Sequence, residues 1–301
     1  MTLDFSGRLV GPACATYVVA ELGVNWCVSA DHQRNLDELE TLIRTAAEAG
    51  ADAVKLQLKS LNAADGYYAS KGENLDKPID DPASSWRTRR HFVEMREPTV
   101  EALNFVDDRC AAHSIQWTAS PWDVPSVELL ASYSPAWIKL ASASITDHDV
   151  LRAVAATGKP IVLSTGMATY AEISAALDTL GDAYPSQLIL AHTTSSYPCP
   201  DEDVNLAAMD RLRDFMCPVG YSGHEDGIAL TFAAVVRGAC WVERHCTMNR
   251  AAWHKDHRAS LEPAGLQKLV RDIRRYERAV GDGVKRLMPS EAPFLSLRRV
   301  S

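Results

Sequence analysis

The sequence predicts a closed (β/α)₈ barrel formed as a single domain. Eight short apolar runs, rich in β-branched residues, alternate with longer stretches of helical period along 301 residues, and this alternation is typical of strand-then-helix units. The runs are almost continuously apolar, which indicates strands buried on both faces of a parallel sheet. A doubly wound open sheet is the alternative, but no glycine-rich phosphate loop follows the first strand.

The predicted elements follow one another at regular intervals. The strands are 16–24, 52–58, 115–120, 136–142, 160–165, 187–192, 218–222 and 240–245. The helices are 36–49, 98–113, 124–132, 147–157, 170–180, 204–215, 226–237 and 263–280. Gly50, Gly158 and Gly238 stand where a helix passes to the next strand, a position that favours a left-handed residue. Pro160 and Pro218 open strands, where no ladder N–H is required.

The barrel is predicted to occupy residues 16–285. Residues 1–15 form an N-terminal extension, and residues 286–301 form a C-terminal tail. The longest irregular interval is 59–97, and its second half, SSWRTRRHFVEM, is predicted to be helical. Because irregular segments of this length in a compact domain are often lids or binding loops, we expect this segment to close over the pocket.

The overall charge argues against two classes of partner. A formal net charge of -8 and a pI near 5.6 leave no basic face for nucleic acid or for an anionic membrane surface. The net charge does not exclude a small phosphorylated ligand, because an acidic protein can contain a local cationic pocket. Seven cysteines without paired spacing, the lack of an apolar N-terminal segment, and the lack of any apolar run of about 18 residues predict a cytoplasmic protein.

Polar residues collect at the predicted carboxyl ends of the strands. In chain order they are Glu21, Asn25, Lys55, Gln57, Ser120, Lys139, Ser142, Ser164, Thr165, His192, Ser222, His224, Glu243 and His245. In barrel enzymes this end of the strands carries the chemistry. The sequence therefore predicts an active site there.

Two of these residues, Lys55 and Lys139, require an anion. Both are predicted to point into an apolar barrel, where an unpaired charge is costly. A protein carboxylate such as Glu21 or Glu243 is one source of the anion. A bound phosphate or carboxylate is the other source, and it also accounts for a group of hydroxyls near the same strand ends. Those hydroxyls belong to Ser120, Ser142, Ser164 and Ser222.

Two histidines follow neighbouring strands. His224 lies just beyond the seventh strand, and His245 ends the eighth. Neutral imidazoles at the same ends of adjacent strands can share one divalent cation. The plainer interpretation is that each histidine is a satisfied polar residue at a strand end. The polar residues on the other strands favour the metal site.

Ten motifs carry a resemblance to a known family. They are AELGVN (20–25), AGADAVKLQ (49–57), ASPW (119–122), IKLAS (138–142), KPIVLSTGM (159–167), HTTSSYPCPDEDVNL (192–206), VGYSGHEDG (219–227), VERH (242–245), DHRASLEP (256–263) and ERAVGDG (277–283). In this order and spacing the chain resembles the sialic acid synthase family, the N-acetylneuraminate synthases and their relatives. The resemblance implies a homodimeric (β/α)₈ barrel that condenses phosphoenolpyruvate (PEP) with an open-chain N-acylhexosamine, using Mn²⁺ or Mg²⁺. The implied products are a 2-keto-3-deoxy sugar acid and phosphate.

The resemblance also assigns roles to residues by motif. The implied metal ligands are His224 and His245. The implied PEP contacts are Lys55, Ser120, Lys139, Ser142, Ser164 and Ser222. The residues matched to the metal and sugar end are Glu21, Asn25, Gln57, Tyr197 and Asp256. The implied catalytic set is Glu21, Lys55, Lys139, His224 and His245.

Other polar residues near these motifs receive weaker roles. Glu243 is expected to orient its neighbours. His254 and His257, which flank Asp256, are expected to be solvated loop residues, with a role as further metal ligands as the alternative. The arginines of SSWRTRRH are expected to form a solvated helix face, with contact to substrate as the alternative.

Departures from the family pattern affect the acceptor end. Ser142-Ala143-Ser144 stands where the family has Ser-Gly-Glu, whose carboxylate binds sugar hydroxyls. Trp26 replaces a His or Asn, and Gly223 replaces an Asp. The family's C-terminal antifreeze-like domain is expected to be absent, with 286–301 standing where its linker begins. We therefore expect a PEP-dependent synthase with an altered acceptor aldehyde. A metal-dependent pyruvate aldolase or other barrel lyase, and a non-catalytic binding relative, are the alternatives.

Overall fold

The computed structural model describes residues 1–61, 66–72, 74–80, 84 and 86–299. Ten strands run through these residues: β1 (Leu3–Phe5), β2 (Arg8–Val10), β3 (Tyr17–Gly23), β4 (Ala53–Leu58), β5 (Gln116–Pro121), β6 (Ile138–Leu140), β7 (Ile161–Ser164), β8 (Leu188–Thr193), β9 (Val219–Gly223) and β10 (Trp241–His245). The last eight form one sheet in the order β5-β4-β3-β10-β9-β8-β7-β6, and β5 also contacts β6. The sheet therefore closes on itself, and the predicted (β/α)₈ barrel is confirmed.

Helices surround the barrel. Those of the described residues are α1 (His32–Glu48), α2 (Tyr67–Lys71), α3 (Arg89–Arg96), α4 (Val100–Ala112), α5 (Val124–Ser132), α6 (His148–Ala156), α7 (Tyr170–Leu180), α8 (Ala208–Leu212), α9 (Ala229–Val236), α10 (Lys255–Arg258) and α11 (Pro263–Ala279). Short 3₁₀ turns lie at Ser142–Ser144, Gly181–Ala183, Asp201–Asp203, Arg213–Phe215 and Pro289–Leu297. None of these helices has the length and apolar character needed to cross a bilayer.

Capping side chains set where the helices begin. Asp31 accepts from the backbone N–H of Gln33 and starts α1 four residues before the predicted start at residue 36. Thr169 and Glu172 form a capping box at α7, which begins where it was predicted. These side chains satisfy backbone donors that the first turn of a helix leaves without partners.

The segment 59–97, predicted as a lid, includes α2 and α3. The helix predicted within SSWRTRRHFVEM is α3, and it begins at Arg89 because Thr88 accepts from the backbone N–H of His91. Part of this segment, and the last two residues of the predicted C-terminal tail, lie outside the described residues. Closure of the segment over the pocket stays a prediction.

The first fifteen residues, predicted as a simple extension, contain a hairpin that covers the amino-terminal end of the barrel. β1 and β2 pair antiparallel. Phe5 is fully buried, stacks on Trp137 with ring centroids 5.3 Å apart, and meets the edge of Tyr17 at 5.2 Å. The hairpin therefore closes the end of the barrel opposite the polar strand ends.

The hairpin should contribute to stability through Phe5. Phe5→Ala should lower the free energy of unfolding by about 3–5 kcal/mol, because it leaves a cavity between Tyr17 and Trp137. Leu9→Ala is the matched control, since Leu9 lies in the same hairpin and is 53% exposed; it should change stability by less than about 0.5 kcal/mol. Chemical denaturation measures both. Equal effects of the two substitutions would contradict packing of the hairpin on the barrel.

Candidate active site

A pocket of about 330 Å³ opens at the carboxyl ends of the barrel strands. It brings together nearly all of the site residues predicted from the sequence. Those that line it are Glu21, Lys55, Gln57, Ser120, Lys139, Ser142, Ser164, Tyr197, Ser222, His224, His245 and Asp256. Glu243 lines it as well. The exceptions among the polar residues at the strand ends are Asn25, Thr165 and His192; Thr165 and His192 bond to the carbonyl oxygens of Ala191 and Val204 instead.

Four buried charges form the floor of this pocket. The Lys55 ammonium pairs with Glu21, donates to Ser120 Oγ at 2.9 Å and lies 3.6 Å from Glu243 Oε2. Lys139 Nζ lies 3.6 Å from the other carboxylate oxygen of Glu243. The protein carboxylates expected as one source of neutralising charge are therefore in place. The contact at Lys139 is longer than a hydrogen bond, and its ammonium group donates to no other described residue, so these donors are left for a ligand.

Burial acts unequally on these charges. It lowers the pKa of Lys139 to about 8, outweighing the attraction of Glu243. Burial also opposes ionisation of Glu243, but Lys139 and Lys55 outweigh it and lower the pKa of Glu243 to about 2. Burial raises the pKa of Glu21 in spite of the adjacent Lys55. Lys139 is therefore an incompletely neutralised ammonium, and Glu21 is a carboxylate that accepts a proton readily.

Three further serine hydroxyls line the pocket beside these charges. Ser222 Oγ donates to Glu243 Oε1 at 3.1 Å. Ser142 Oγ accepts from the backbone N–H of Gly166 at 3.0 Å, and Ser164 lies at the end of β7. The pocket floor therefore combines ammonium groups with hydroxyl donors, the groups that recognise phosphate and carboxylate oxygens.

A bulge in β3 brings the side chains of Glu21, Gln57 and His245 close together around Gly23. The register between β3 and β4 shifts between Glu21 and Gly23, where Gly23 has a φ of +49°. A Cβ on Gly23 would lie 3.0 Å from Glu21 Oε1, 3.3 Å from Gln57 Nε2 and 3.5 Å from His245 Cε1. Glycine suits both the left-handed backbone and this close approach.

The two predicted imidazoles lie side by side. The ring centroids of His224 and His245 are 5.4 Å apart, and the Tyr197 ring packs 4.1 Å from that of His224. His224 Nδ1 lies 2.8 Å from the carbonyl oxygen of Thr194. Because a carbonyl only accepts, Nδ1 carries the proton and Nε2 presents a lone pair. Burial, followed by the nearby His245, lowers the pKa of His224 to about 3, so this ring is neutral at neutral pH.

These two rings fit a divalent cation. His245 Nδ1 is buried and has no hydrogen-bond partner among the described residues, and neutral imidazole nitrogens are common metal ligands. Within the described part of the chain, no group of three or more His, Cys, Asp or Glu side chains is close enough to hold an ion. Two imidazoles would therefore leave the other coordination positions to water or substrate oxygens, as open catalytic sites do.

Asn25 requires a correction. The motif matches it to the acceptor end, but it is fully buried and is not among the residues that line the pocket. Its amide donates to the carbonyl oxygen of Cys246 at 2.8 Å and to Ser260 Oγ at 2.9 Å. It therefore stabilises the loop after β10, and it does not line the pocket.

The expectation of solvated histidines and arginines was wrong in part. His257 is buried, with its Nδ1 2.7 Å from Thr247 Oγ1. His254 and Arg89 line the pocket. Arg87 and Arg90 are exposed, as expected.

Several lining residues were missed by sequence reasoning. They are Lys59, Arg96, Trp122 and Lys255. Lys59 had a readable signal, because it continues the two-residue spacing of Lys55 and Gln57 just beyond the end of β4. Gln57 links Lys59 to Glu21: its Nε2 donates to Glu21 Oε1 and its Oε1 accepts from Lys59 Nζ, each at 3.2 Å. Of the other three, Arg96 lies on α3, Lys255 lies on α10 and Trp122 follows β5. The sequence pattern does not specify how these segments pack over the pocket.

The fold and the pocket define a (β/α)₈ barrel with a cationic, imidazole-bearing site at its catalytic end. The sequence model of the NeuB family matches residues 42–285, and the chain belongs to this family. The family resemblance stated from the motifs is confirmed.

Named relatives extend this result. N,N'-diacetyllegionaminic acid synthase of Campylobacter jejuni is 35% identical, over 95% of this chain and 84% of the relative. Human N-acetylneuraminate-9-phosphate synthase is 33% identical, over 95% of this chain and 77% of the relative. Among solved structures, the N-acetylneuraminic acid (sialic acid) synthetase of Leptospira borgpetersenii in complex with citrate superposes with a TM-score of 0.81 at 28% identity, covering 99% of this chain and 96% of that chain. The chain is thus similar to synthases of sugar acids.

The pairing of Glu243 with Lys139 and Lys55 should contribute measurably to the free energy of unfolding. Glu243→Gln should lower the free energy of unfolding at neutral pH by about 3–5 kcal/mol, because it removes the nearest anion of a buried lysine. The folded-state pKa of Glu243 is about 2 against an ordinary 4.5, so its contribution is complete above pH 4.5 and is lost as the pH falls towards 2. The stability difference between wild type and variant should therefore narrow across that window.

The matched control is Asp149→Asn, which removes an exposed carboxylate paired with Arg152 at 2.6 Å and should change stability little. Chemical denaturation at a series of pH values measures both variants. If the difference in the free energy of unfolding between wild type and Glu243→Gln does not change with pH, the pairing of Glu243 with the two lysines is contradicted.

Proposed function

We propose that the protein condenses PEP with the aldehyde carbon of an open-chain sugar, an N-acylhexosamine or a related acceptor, to give a 2-keto-3-deoxy sugar acid and phosphate. The observation that carries this proposal is the presence of two buried lysines, Lys55 and Lys139, and two adjacent imidazoles, His224 and His245, in one pocket. The relatives named as sugar-acid synthases support the reaction class.

PEP is the substrate that the pocket floor suits. It presents a phosphate and a carboxylate, and Lys139 has ammonium donors left by its long contact with Glu243. Lys55 supplies a second positive charge beside Ser120. The hydroxyls of Ser142, Ser164 and Ser222 complete the set of donors. Charge-assisted hydrogen bonds of this kind are the strong ones in a protein interior.

We propose that His224 and His245 hold Mn²⁺ or Mg²⁺. Bound there, such an ion would supply a Lewis acid to a carbonyl oxygen. The protein's own contribution is to keep His224 neutral and to fix its tautomer through the carbonyl of Thr194. The Tyr197 ring, packed on His224, restricts the rotation of that imidazole.

The reaction then balances as follows. The methylene carbon of PEP attacks the aldehyde carbon and a carbon–carbon bond forms, while the electron pair of the carbonyl π bond moves to the aldehyde oxygen. Water adds through its oxygen to the enolpyruvate carbon that bears the phosphate, and one of its protons passes through Glu21, whose pKa burial raises, to the aldehyde oxygen, which becomes a hydroxyl. The carbon–oxygen bond to phosphate then breaks, the added hydroxyl gives its remaining proton to the departing phosphate, and a ketone forms. Lys55 and Lys139 stabilise the departing anion.

Assembly and location stay predictions of the sequence. The family resemblance implies a homodimer, and the composition implies a cytoplasmic location. The reaction described above depends on neither prediction.

The proposed activity is tested with Mn²⁺, PEP and a panel of sugar aldehydes, following PEP consumption and phosphate release. We expect acceptor-dependent release of phosphate. Turnover of pyruvate in place of PEP would favour an aldolase instead. Absence of both PEP binding and turnover across the panel would contradict the proposal.

His245→Ala should lose Mn²⁺ binding and PEP consumption together, because it removes one of two imidazole ligands. Calorimetric titration with Mn²⁺ gives a readout independent of activity. His148→Ala is the control, since His148 is an exposed histidine on α6, and it should bind Mn²⁺ like the wild type. Wild-type Mn²⁺ affinity in His245→Ala would contradict the metal assignment.

The affinity for PEP should fall as the pH rises through about 8. Burial lowers the pKa of Lys139 to about 8, so the charge that attracts the PEP anion is present below this pH and is lost above it. Lys139→Met should bind PEP weakly at neutral pH and show a flatter pH dependence. Lys268→Met, which removes an exposed lysine on α11, should keep the wild-type slope. Calorimetry at a series of pH values measures this, and an unchanged slope in Lys139→Met would contradict the role of Lys139.

A further inference from the structure

A buried ion pair lies behind the two imidazoles, on the outer side of the barrel. Arg244 is 1% exposed and Glu225 is fully buried, and Arg244 Nη1 lies 3.1 Å from Glu225 Oε1. Arg244 stands between Glu243 and His245 on β10, and alternate residues of a strand face opposite ways. Arg244 therefore points away from the pocket, and neither member of the pair is among the described residues that line it. The proposed reaction makes no direct use of this pair.

The Arg244 side chain connects the strand of one imidazole to the loop of the other. The ladder between β9 and β10 ends with the pairing of Gly223 and Arg244, so His224 lies one residue beyond it. The guanidinium extends past this end: Nη2 donates to the carbonyl oxygen of Glu225 at 2.6 Å, and Nη1 donates to that of Gly227 at 2.5 Å. Because a guanidinium presents its donors in one rigid plane, these bonds fix the path of the backbone that carries His224.

Three donors hold the Glu225 carboxylate. Its Oε1 accepts from Arg244 and from Thr231 Oγ1 of α9, the latter at 2.5 Å. Its Oε2 accepts from the Tyr221 hydroxyl at 2.8 Å. Burial, followed by the nearby Glu225, raises the pKa of Tyr221, so this phenol stays protonated and donates. A buried charge that is paired and hydrogen-bonded in this way holds one geometry, because other arrangements leave a buried donor or acceptor unsatisfied.

Gly223 leaves room for this carboxylate. A Cβ at this position would collide with the Glu225 carboxylate and with the Tyr221 ring. The Asp that the family pattern has at position 223 could therefore not share this space with Glu225. The end of β9 and the loop after it are thus arranged around one carboxylate, and that carboxylate belongs to the residue directly after His224.

We propose that the ion pair of Glu225 and Arg244 positions the two imidazoles of the pocket for a shared divalent cation. This inference rests on the metal site of the proposed function and adds two positioning residues to it. Glu225 directly follows His224, and Arg244 directly precedes His245. Because each member of the pair is one peptide bond from an imidazole residue, the pair fixes the two ring-bearing stretches of backbone relative to each other. The carbonyl of Thr194 then sets the tautomer of His224.

The test removes both charges together and measures Mn²⁺ binding. Replacing a buried ion pair by neutral groups of similar volume often leaves a protein as stable as before, whereas removing one partner leaves the other charge uncompensated. The double variant Glu225→Gln/Arg244→Met should therefore fold, and chemical denaturation measures its stability. Its Mn²⁺ affinity, measured by calorimetry, should fall by about 10- to 100-fold, as it does when a group that orients metal ligands is lost. Its affinity for PEP without metal should be unchanged, because Lys55 and Lys139 stay in place.

Two further variants separate positioning from general stability. Arg244→Lys keeps the positive charge beside Glu225 but has fewer donors for the carboxylate, the two carbonyl oxygens and Thr231. Its Mn²⁺ affinity should therefore lie between those of the wild type and the double variant, about three- to tenfold below the wild type. The matched control is Asp52→Asn/Arg274→Met, which removes a partly buried ion pair of 2.9 Å at the other end of the barrel; it should bind Mn²⁺ like the wild type.

The outcomes separate this inference from the function on which it rests. Wild-type Mn²⁺ affinity in the folded double variant would overturn the inference and leave the metal site standing. If the double variant does not fold, Arg244→Lys decides, and wild-type Mn²⁺ affinity in that variant overturns the inference. An equal loss of Mn²⁺ affinity in the control would also overturn it. Failure of the wild type to bind Mn²⁺ would overturn the metal assignment and the inference together, whereas Mn²⁺ binding without turnover of PEP would overturn the synthase alone.

Discussion

Burial of four charges on the pocket floor is the constraint on which the site depends. Glu21, Lys55, Lys139 and Glu243 come from β3, β4, β6 and β10. Each would be costly to bury alone, and they persist because they neutralise one another. The neutralisation is incomplete at Lys139, whose nearest carboxylate oxygen is 3.6 Å away. An incoming anion therefore completes a cluster that the protein leaves partly unpaired.

The register of the parallel strands brings these groups together. Glu21 is aligned with Lys55 of β4 on one side and with His245 of β10 on the other. Glu243 of β10 is aligned with Ser222 of β9. Because alternate residues of a strand face opposite ways, a slip of one residue would turn these side chains towards the outer helices. The geometry of the site is thus a direct consequence of barrel closure.

Most of the barrel and its floor were predictable from the sequence, because both depend on short-range patterns. Apolar runs located the eight barrel strands, and polar residues at their carboxyl ends located Lys55, Lys139, His224 and His245. Asn25 and His257 were misjudged because their partners, Cys246 and Thr247, lie on a loop whose path follows from tertiary packing. The N-terminal hairpin was missed for a similar reason, since its apolar residues are buried only against the completed barrel.

The most direct test of the central claim is a crystal structure of the protein soaked with Mn²⁺ and PEP. The account predicts PEP density with anionic oxygens in contact with the ammonium groups of both Lys55 and Lys139, and an ion bound to His224 and His245. PEP bound away from these lysines, or an ion held elsewhere with both imidazoles unliganded, would contradict it.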